Sequence, residues 1–170
     1  NYGYTIDNAG STIDASVLAV TGNDAIVDWI VVELRSSANA SSVVASKVAL
    51  IQRDGDIVGL GGVNPVSFNV SNGNYRVAIR FKNHLPIMSL AALDGSGGAI
   101  DFDSTNLGVQ IFADDVFSGA DQIAGMRAMR PGDATLDRLI AYVGNGNDRD
   151  AILMLIGNAC VSPFMALQQN

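Results

Sequence analysis

Apolar and polar residues alternate with a period of two along much of this chain, which is the pattern of strands with one buried face. The clearest example is the segment YRVAIRFKNH at 75–84, where Tyr75, Val77, Ile79 and Phe81 alternate mostly with basic residues. We expect the apolar face to be buried. The opposite face, with Arg76, Arg80 and Lys82, is predicted to be solvated and to pair with the protein's own carboxylates.

Two longer segments predict the centre of the same sheet. Residues 25–35, AIVDWIVVELR, are rich in β-branched and aromatic residues and predict a central strand. Residues 43–53, VVASKVALIQR, predict either a strand pair or one long bent strand. Asp54-Gly55 then indicates a hairpin, because this dipeptide accepts the positive φ of a tight turn. Shorter strands are predicted at 16–20 and 66–70.

Short strands with regular turn signals between them predict an all-β fold, a β-sandwich of the immunoglobulin-like or jelly-roll-like kind. The sequence shows neither an internal repeat nor a low-complexity linker, so residues 16–157 are assigned to one sandwich. A helix is expected only at 148–156, where carboxylates precede an apolar run. The predicted domain therefore ends in a short loop and helix.

The two ends of the chain are candidates for assembly contacts. In the predicted N-terminal strand, residues 1–15, the apolar positions Tyr2, Tyr4 and Ile6 alternate with small or polar residues. This strand can pair within its own sheet or be donated to the sheet of a neighbouring copy, and the sequence leaves both open. The tail 158–170 is apolar and is expected to be an interface if it docks on a neighbour.

Composition and charge exclude several classes of protein and of binding partner. Apolar residues make up 48% of the 170 residues and charged residues 16%, which fits one globular domain with a core. Seventeen acidic against ten basic residues give a formal charge of -7, which opposes binding to nucleic acid or anionic lipid. Cys160 is the single cysteine, so an intrachain disulfide is excluded. No apolar run reaches the roughly 18 residues of a membrane-spanning helix.

Hard oxygen donors are concentrated between residues 133 and 150, on a frame that contains Gly144 and Gly146. Calcium takes six to eight such oxygens in a flexible geometry, so this segment predicts a calcium site. An EF-hand is excluded, because Arg138 and Gly144 stand where that loop needs Gly and Glu. The alternative is that these carboxylates cap the helix and pair with arginines. The predicted ligands are Asp133, Thr135, Asp137, Asn147, Asp148 and Asp150. Additional candidate ligands are Asp101, Asp103, Asp114 and Asp115.

Catalytic chemistry is not expected. His84 is the single histidine, and its place after a strand and before Pro86 favours a structural hydrogen bond over a catalytic base. The chain contains no nucleophile elbow, HExxH motif, P-loop or Rossmann fingerprint. One His and one Cys also cannot supply a conventional zinc site. Trp29 is expected in the core of its strand.

Several segments in order resemble a recurrent β-rich module of secreted bacterial proteins: VDWIVVELR, ALIQRDGDIV, KNHL and NDRDAIL, within residues 16–157. The last part of the resemblance is to a dockerin-like DxNxDG loop followed by NDRDPIL. This chain departs from that loop, since Thr135 stands for Asn, Leu136 and Arg138 replace glycines, and Ala151 replaces Pro. The first half of the calcium loop is therefore altered, whereas NDRD at 147–150 is intact.

The resemblance implies an extracellular, non-catalytic part of a surface protein. The chain also resembles subunits of extracellular bacterial filaments that contain calcium and join by strand donation. We therefore expect a secreted structural subunit that binds Ca²⁺ and other copies of itself, head to tail, through its N-terminal strand. The alternative is a calcium-dependent carbohydrate-binding or adhesive module, with surface glycans as partners.

Overall fold

The computed structural model describes residues 4–112, 120–135 and 140–155, and its elements are mostly strands. The elements are α1 (Ala15–Leu18), β1 (Ile26–Ser36), β2 (Val43–Gln52), β3 (Ile57–Val58), β4 (Tyr75–Phe81), β5 (Asn83–His84), β6 (Ile87–Met88), β7 (Ala120–Ile123), β8 (Met126–Met129), β9 (Pro131–Asp133) and α2 (Asp148–Leu155). Five strands form an antiparallel sheet, curled as a half-barrel, in the order β3-β2-β1-β4-β6; β5 pairs with β9, and β7 with β8. The structure is therefore mostly β, which is the coarser part of the predicted all-β sandwich.

The central strand is β1, as its composition predicts. Ile30, Val32 and Leu34 alternate along it and are buried on one side of the sheet, which we call the core face. Val32 lies opposite Ile79 of β4, and Ile30 lies opposite Ala49 of β2. Because side chains of directly paired residues point to the same face, these strands build one apolar layer.

The hairpin predicted at Asp54-Gly55 is confirmed. Gly55 has a φ of 100° and its N–H donates to the carbonyl of Gln52 at 3.0 Å, while the Asp54 carboxylate accepts from the N–H of Asp56 at 3.2 Å. The turn returns the chain from β2 to β3. β2 itself is one ten-residue strand with register shifts against β1, rather than a strand pair.

Two predicted strands are wrong. Part of 16–20 lies in helix α1 (Ala15–Leu18), because the Asp14 carboxylate accepts from the N–H of Ser16 at 2.8 Å and caps a helical turn. Residues 66–70 form no strand: Val66, Phe68 and Val70 pack against the core face instead of pairing with a sheet edge. In both places a local cap or face packing outweighs strand propensity.

The basic face predicted for β4 is solvated only in part. Lys82 has a side chain 62% exposed and forms an ion pair with Asp28 at 2.9 Å. Arg80 has a side chain only 11% exposed, and its Nη1 lies 3.2 Å from an oxygen of buried Glu33. The pairing with the protein's own carboxylates is thus confirmed for Lys82 and Arg80, although Arg80 belongs to a buried cluster. Arg76 donates to the backbone carbonyls of Leu90, Ser36 and Ser37 instead.

The predicted C-terminal helix is confirmed as α2. Residues 101–103 lie in a loop, so Asp101 and Asp103 do not share a strand face.

Among the described residues, no helix combines the length and the apolar character needed to cross a membrane.

Candidate functional site

The Asp148 carboxylate joins three parts of the C-terminal segment. Its Oδ1 accepts from the backbone N–H groups of Ala134 at 2.7 Å and Thr135 at 3.1 Å, and its Oδ2 accepts from the N–H of Ala141 at 2.8 Å. The Thr135 hydroxyl donates to Oδ1 at 3.3 Å. Asp148 is 4% exposed. One buried side chain therefore connects the end of β9, residue 141 and the start of α2.

These donors favour the ionised carboxylate. Burial by itself raises the pKa of Asp148, but the N–H groups of Ala141, Thr135 and Ala134 lower it more, so the pKa lies below its usual value. The carboxylate is charged at neutral pH and is stabilised by backbone donors rather than by a basic side chain.

Asn147 caps the start of α2. Its Oδ1 accepts from the backbone N–H of Asp150 at 2.9 Å, and its Nδ2 donates to the Gly144 carbonyl at 2.6 Å and to Asp150 Oδ2 at 2.8 Å. This reciprocal contact between the cap residue and the third helical residue satisfies an N–H that the helix leaves unpaired. Gly146, just before the cap, has a φ of 73°, which favours glycine.

Asp133 and Asp150 occupy different surroundings. Asp133 is 2% exposed in β9, where it pairs with Asn83. Asp150 is on the surface, and Arg149 lies 3.2 Å from its Oδ1. Hydrogen bonds from Asn147 and then from Arg149 lower the pKa of Asp150. The guanidinium of Arg149 also lies 5.1 Å from the ring centroid of Tyr142.

Four of the predicted calcium ligands are brought together as two hydrogen-bonded pairs, Thr135 with Asp148 and Asn147 with Asp150. The oxygens of Asp148 and Asn147 face backbone N–H groups, the partners expected from helix capping. Neither pair includes Asp133, which pairs with Asn83 between β5 and β9. Within residues 4–112, 120–135 and 140–155, no group of three acidic, His or Cys side chains is placed to hold a metal. Asp137, Asp114 and Asp115 lie outside the described residues, so calcium binding stays a prediction.

Asp101 and Asp103 are also explained by loop chemistry or exposure. Asp103 accepts from the N–H of Thr105 at 3.0 Å, from its hydroxyl at 2.6 Å and from the N–H of Asn106 at 3.3 Å. The Thr105 hydroxyl and N–H lower the pKa of Asp103. Asp101 is exposed.

The N-terminal segment lies on the sheet of its own chain. β3 pairs with β2 only at Leu50 and Ile51, and Asp7 pairs in parallel with Lys47 on β2. The N–H of Asp7 donates to the Ser46 carbonyl at 2.8 Å, and the Asp7 carbonyl accepts from Val48 at 2.9 Å. The Asp7 carboxylate lies 3.1 Å from the Lys47 ammonium. Tyr2 lies outside the described residues, and Ile6 is partly buried.

Tyr4 extends from this segment to a buried cluster around Glu33. Glu33 is 0% exposed; one oxygen accepts from Arg35 Nε at 2.8 Å, and the other lies 3.2 Å from Arg80 Nη1. The Tyr4 hydroxyl donates to Glu33 and accepts from Arg80 at 3.2 Å. Burial raises the pKa of Glu33, but hydrogen bonds from Tyr4 and Arg35 lower it below its usual value.

Sequence reasoning missed this cluster, although it contains a signal. Glu33 is the single glutamate of the chain and stands within a run of β-branched residues that predicts a buried strand. A carboxylate at such a position needs basic or hydroxyl partners, and Arg35 on the same strand face is one of them. Burial raises the pKa of Tyr4, and its hydrogen bond to Glu33 raises it further.

His84 has structural contacts at the end of β5. Its Nδ1 lies 2.9 Å from the Lys82 carbonyl, and its ring stacks on Phe81 with centroids 4.7 Å apart. The contact with the Lys82 carbonyl agrees with the structural hydrogen bond expected from the sequence.

Comparison of the chain with protein-family models, curated protein sequences and solved structures gives no match.

Proposed function

We propose that the chain is a non-catalytic structural subunit of an extracellular, calcium-stabilised filament or surface assembly that polymerises by strand donation. The observation that carries the proposal is the pairing of Asp7 with the edge of β2, together with the insertion of Tyr4 into the Glu33 cluster. A terminal segment that binds a sheet edge in one chain can make the same contacts with the edge of another chain.

The geometry of this contact suits exchange between copies. The segment pairs with β2 through two backbone hydrogen bonds at Asp7, and Asn8, directly after it, has a φ of 62°, which marks a turn. Moving residues 1–7 to a neighbour keeps these contacts and leaves the five-stranded sheet unchanged. The contact joins two different surfaces, so repeated exchange propagates a head-to-tail polymer.

Calcium belongs to the proposal through the segment 133–150. Its support is that residues 133–135 and 147–150 are drawn together by the Asp148 hydrogen bonds. The ligand set of the proposal remains the one predicted from the sequence, with Asp133, Asp137, Asp148 and Asp150 as its carboxylates. Such an ion supplies positive charge that offsets repulsion between crowded carboxylates.

We further propose that the fold is a β-sandwich. The support is that one face of the five-stranded sheet is an apolar layer, in which Ala49 is 0% exposed, and that Val66, Phe68 and Val70 pack against this layer from outside the sheet. A sandwich needs such a face, because each of its two sheets buries one apolar face against the other layer.

The strand-donation proposal is tested by mixing two single-cysteine variants in a Cys160→Ser background. One carries Asp7→Cys and the other Lys47→Cys, because directly paired residues are close enough for a disulfide. Oxidation of the mixture is expected to give chains crosslinked in pairs, measured on a non-reducing gel. The yield is expected to be higher with calcium than after chelation.

Two controls are needed to interpret the crosslinking of the mixture. The double variant Asp7→Cys/Lys47→Cys must crosslink within one chain, which checks the local geometry. Asp7→Cys mixed with Val63→Cys, whose side chain is 77% exposed elsewhere, must stay uncrosslinked. If the double variant crosslinks while the mixture of single variants stays monomeric with and without calcium, strand donation is wrong.

A carbohydrate-binding or adhesive module is the second candidate, and one observation favours it. A cavity of about 220 Å³ is lined by Trp29, Phe81 and His84 together with Lys82 and Asp133. Aromatic rings beside charged hydrogen-bonding groups suit a sugar, which has both apolar and hydroxyl surfaces. Binding to a glycan array that is lost in Trp29→Ala supports this candidate over assembly.

A further inference from the structure

A further cavity in the fold lies away from both sites described above. A cavity of about 450 Å³ separates the core face of the sheet from the loop residues 65–73 and 95–100. Val32 and Ile79 form part of its floor, and Phe68 and Val70 belong to the loop wall. This volume falls within the range of roughly 300–1,000 Å³ that small-molecule sites in proteins occupy.

The wall of the cavity is apolar and uncharged. All of the described residues that line it are neutral, and the polar side chains among them are concentrated at Ser67, Ser71, Asn72 and Tyr75. The Tyr75 hydroxyl donates to the Ser71 carbonyl at 2.7 Å, so its hydrogen bond is already made and its ring contributes apolar surface. The Lys47 ammonium donates to the Ser67 carbonyl at 2.8 Å beside this wall, but it is already paired with the Asp7 carboxylate at 3.1 Å. A charged ligand would therefore lose its hydration here without gaining a free ionic partner.

One part of the cavity wall is fixed by two glycines. The N–H of Gly73 donates to the Gly95 carbonyl at 3.3 Å, and the N–H of Gly95 donates to the Gly73 carbonyl at 3.1 Å. A Cβ at Gly95 would lie 2.5 Å from the Gly73 carbonyl oxygen and 2.9 Å from Ile100. Only glycine at position 95 lets the two loops approach this closely, so the wall depends on a specific residue.

We propose that this cavity binds one uncharged, largely hydrocarbon small molecule, with a hydroxyl or similar polar end near Ser71 and Asn72. Water in such a space finds few hydrogen-bond partners, and an apolar group that displaces it gains affinity. The ligand also restores the van der Waals contacts that an empty apolar space denies to its lining residues. This site is independent of strand donation and of calcium.

The probe is N-phenyl-1-naphthylamine, an uncharged dye whose fluorescence rises in apolar surroundings. The full chain is expected to bind it saturably, with one dye molecule per chain. 1-Decanol is expected to displace the dye at a concentration about tenfold lower than decanoate, because the wall offers the carboxylate no ionic partner. Equal displacement by both compounds contradicts an uncharged site.

Matched variants locate the binding. Val70→Trp places a large ring in the cavity and is expected to weaken dye binding by about tenfold or more, whereas Val63→Trp, on a side chain 77% exposed, leaves it unchanged. Gly95→Ala forces the two loops apart and is expected to weaken binding, whereas Gly97→Ala meets nothing within 4 Å. Circular dichroism checks that each variant is folded.

The proposal is wrong if the unmodified chain shows no saturable binding of the dye. It is also wrong if folded Val70→Trp binds the dye as tightly as Val63→Trp does. Should Val70→Trp fail to fold, the comparison of Gly95→Ala with Gly97→Ala decides on the same criterion.

Discussion

On the core face of the five-stranded sheet the buried side chains are apolar, whereas in residues 140–155 the buried side chains are polar. Ile30 and Leu34 of β1 are 3% and 6% exposed. In the C-terminal segment, Asn147 and Asp148 are 3% and 4% exposed, while apolar Met154 is 68% exposed. The sheet is therefore stabilised by removal of apolar surface from water, and the segment by hydrogen bonds to a few polar groups.

This difference determines how each region responds to change. Apolar burial is spread over many side chains of β1, β2 and β4, so we expect the sheet to unfold as one unit. The C-terminal segment depends on the contacts of Asp148 and Asn147, so we expect loss of one carboxylate to weaken this segment while the sheet stays folded. The Glu33 cluster is the exception within the sheet, because there a buried ion pair lies beside the apolar layer.

The largest effect is expected for Glu33→Ala, which tests that exception. Removing the buried carboxylate leaves Arg35 and Arg80 largely buried beside a neutral side chain, which costs about 3–5 kcal/mol of unfolding free energy. The measurement is urea unfolding followed by far-UV circular dichroism. The control Asp28→Ala removes the partner of exposed Lys82 and is expected to cost no more than about 1 kcal/mol.

Equal losses in Glu33→Ala and Asp28→Ala would mean that the Glu33 cluster is solvated, contrary to its 0% exposure. Glu33 would then contribute no more to the stability of the sheet than an exposed ion pair does.

A second pair of variants compares the two regions directly. Ile79→Ala removes a side chain that is 6% exposed in the core and is expected to cost about 2–5 kcal/mol of unfolding free energy. Ile152→Ala changes a side chain 49% exposed on α2 and is expected to stay within about 0.5 kcal/mol. The same urea titration measures both. A large loss in Ile152→Ala would show that α2 is packed on the protein through its apolar residues.

The parts of the fold that were predictable are those with a local signal. The apolar run of β1, the Asp54-Gly55 turn and the alternation in β4 each determine their structure within a few residues. The short strand predicted at 16–20 failed because Asp14 caps a helical turn there. The segment 66–70 failed because period-two alternation is also found in an extended loop that packs on a sheet face.

The candidate site was predictable only as a set of residues. The sequence places the acidic positions of 133–150 close along the chain, and the structure does bring Thr135, Asp148 and Asp150 into one segment. Which donors face each carboxylate depends on tertiary contacts such as Ala141 with Asp148, and spacing does not encode these. For the same reason, Arg80 looked solvated although it contacts Glu33 on the neighbouring strand.

Among the variants that are not controls, Asp148→Asn is expected to have the smallest effect, because its effect is confined to the C-terminal segment. The variant keeps the shape of the side chain but replaces one acceptor oxygen by a donor, which costs about 1–3 kcal/mol of local opening free energy. Hydrogen exchange at the amides of Ala134 and Ala141 measures this loss, while the amide of Ile79 in the core is expected to keep its protection. Asp150→Asn, on an exposed side chain, is the control and is expected to change little.

The same amides give the pH dependence with a defined sign. The folded pKa of Asp148 is below the ordinary pKa of an aspartate, so its contribution is fully present above that ordinary value and is lost as the pH falls through the lower, folded pKa. Protection of Ala134 and Ala141 is therefore expected to fall in acid before protection of Ile79 does, in the unmodified chain but not in Asp148→Asn. If all three amides lose protection together, the segment and the sheet are one cooperative unit. The two regions then differ in the side chains that they bury, apolar in the sheet and polar in the segment, but not in their stability.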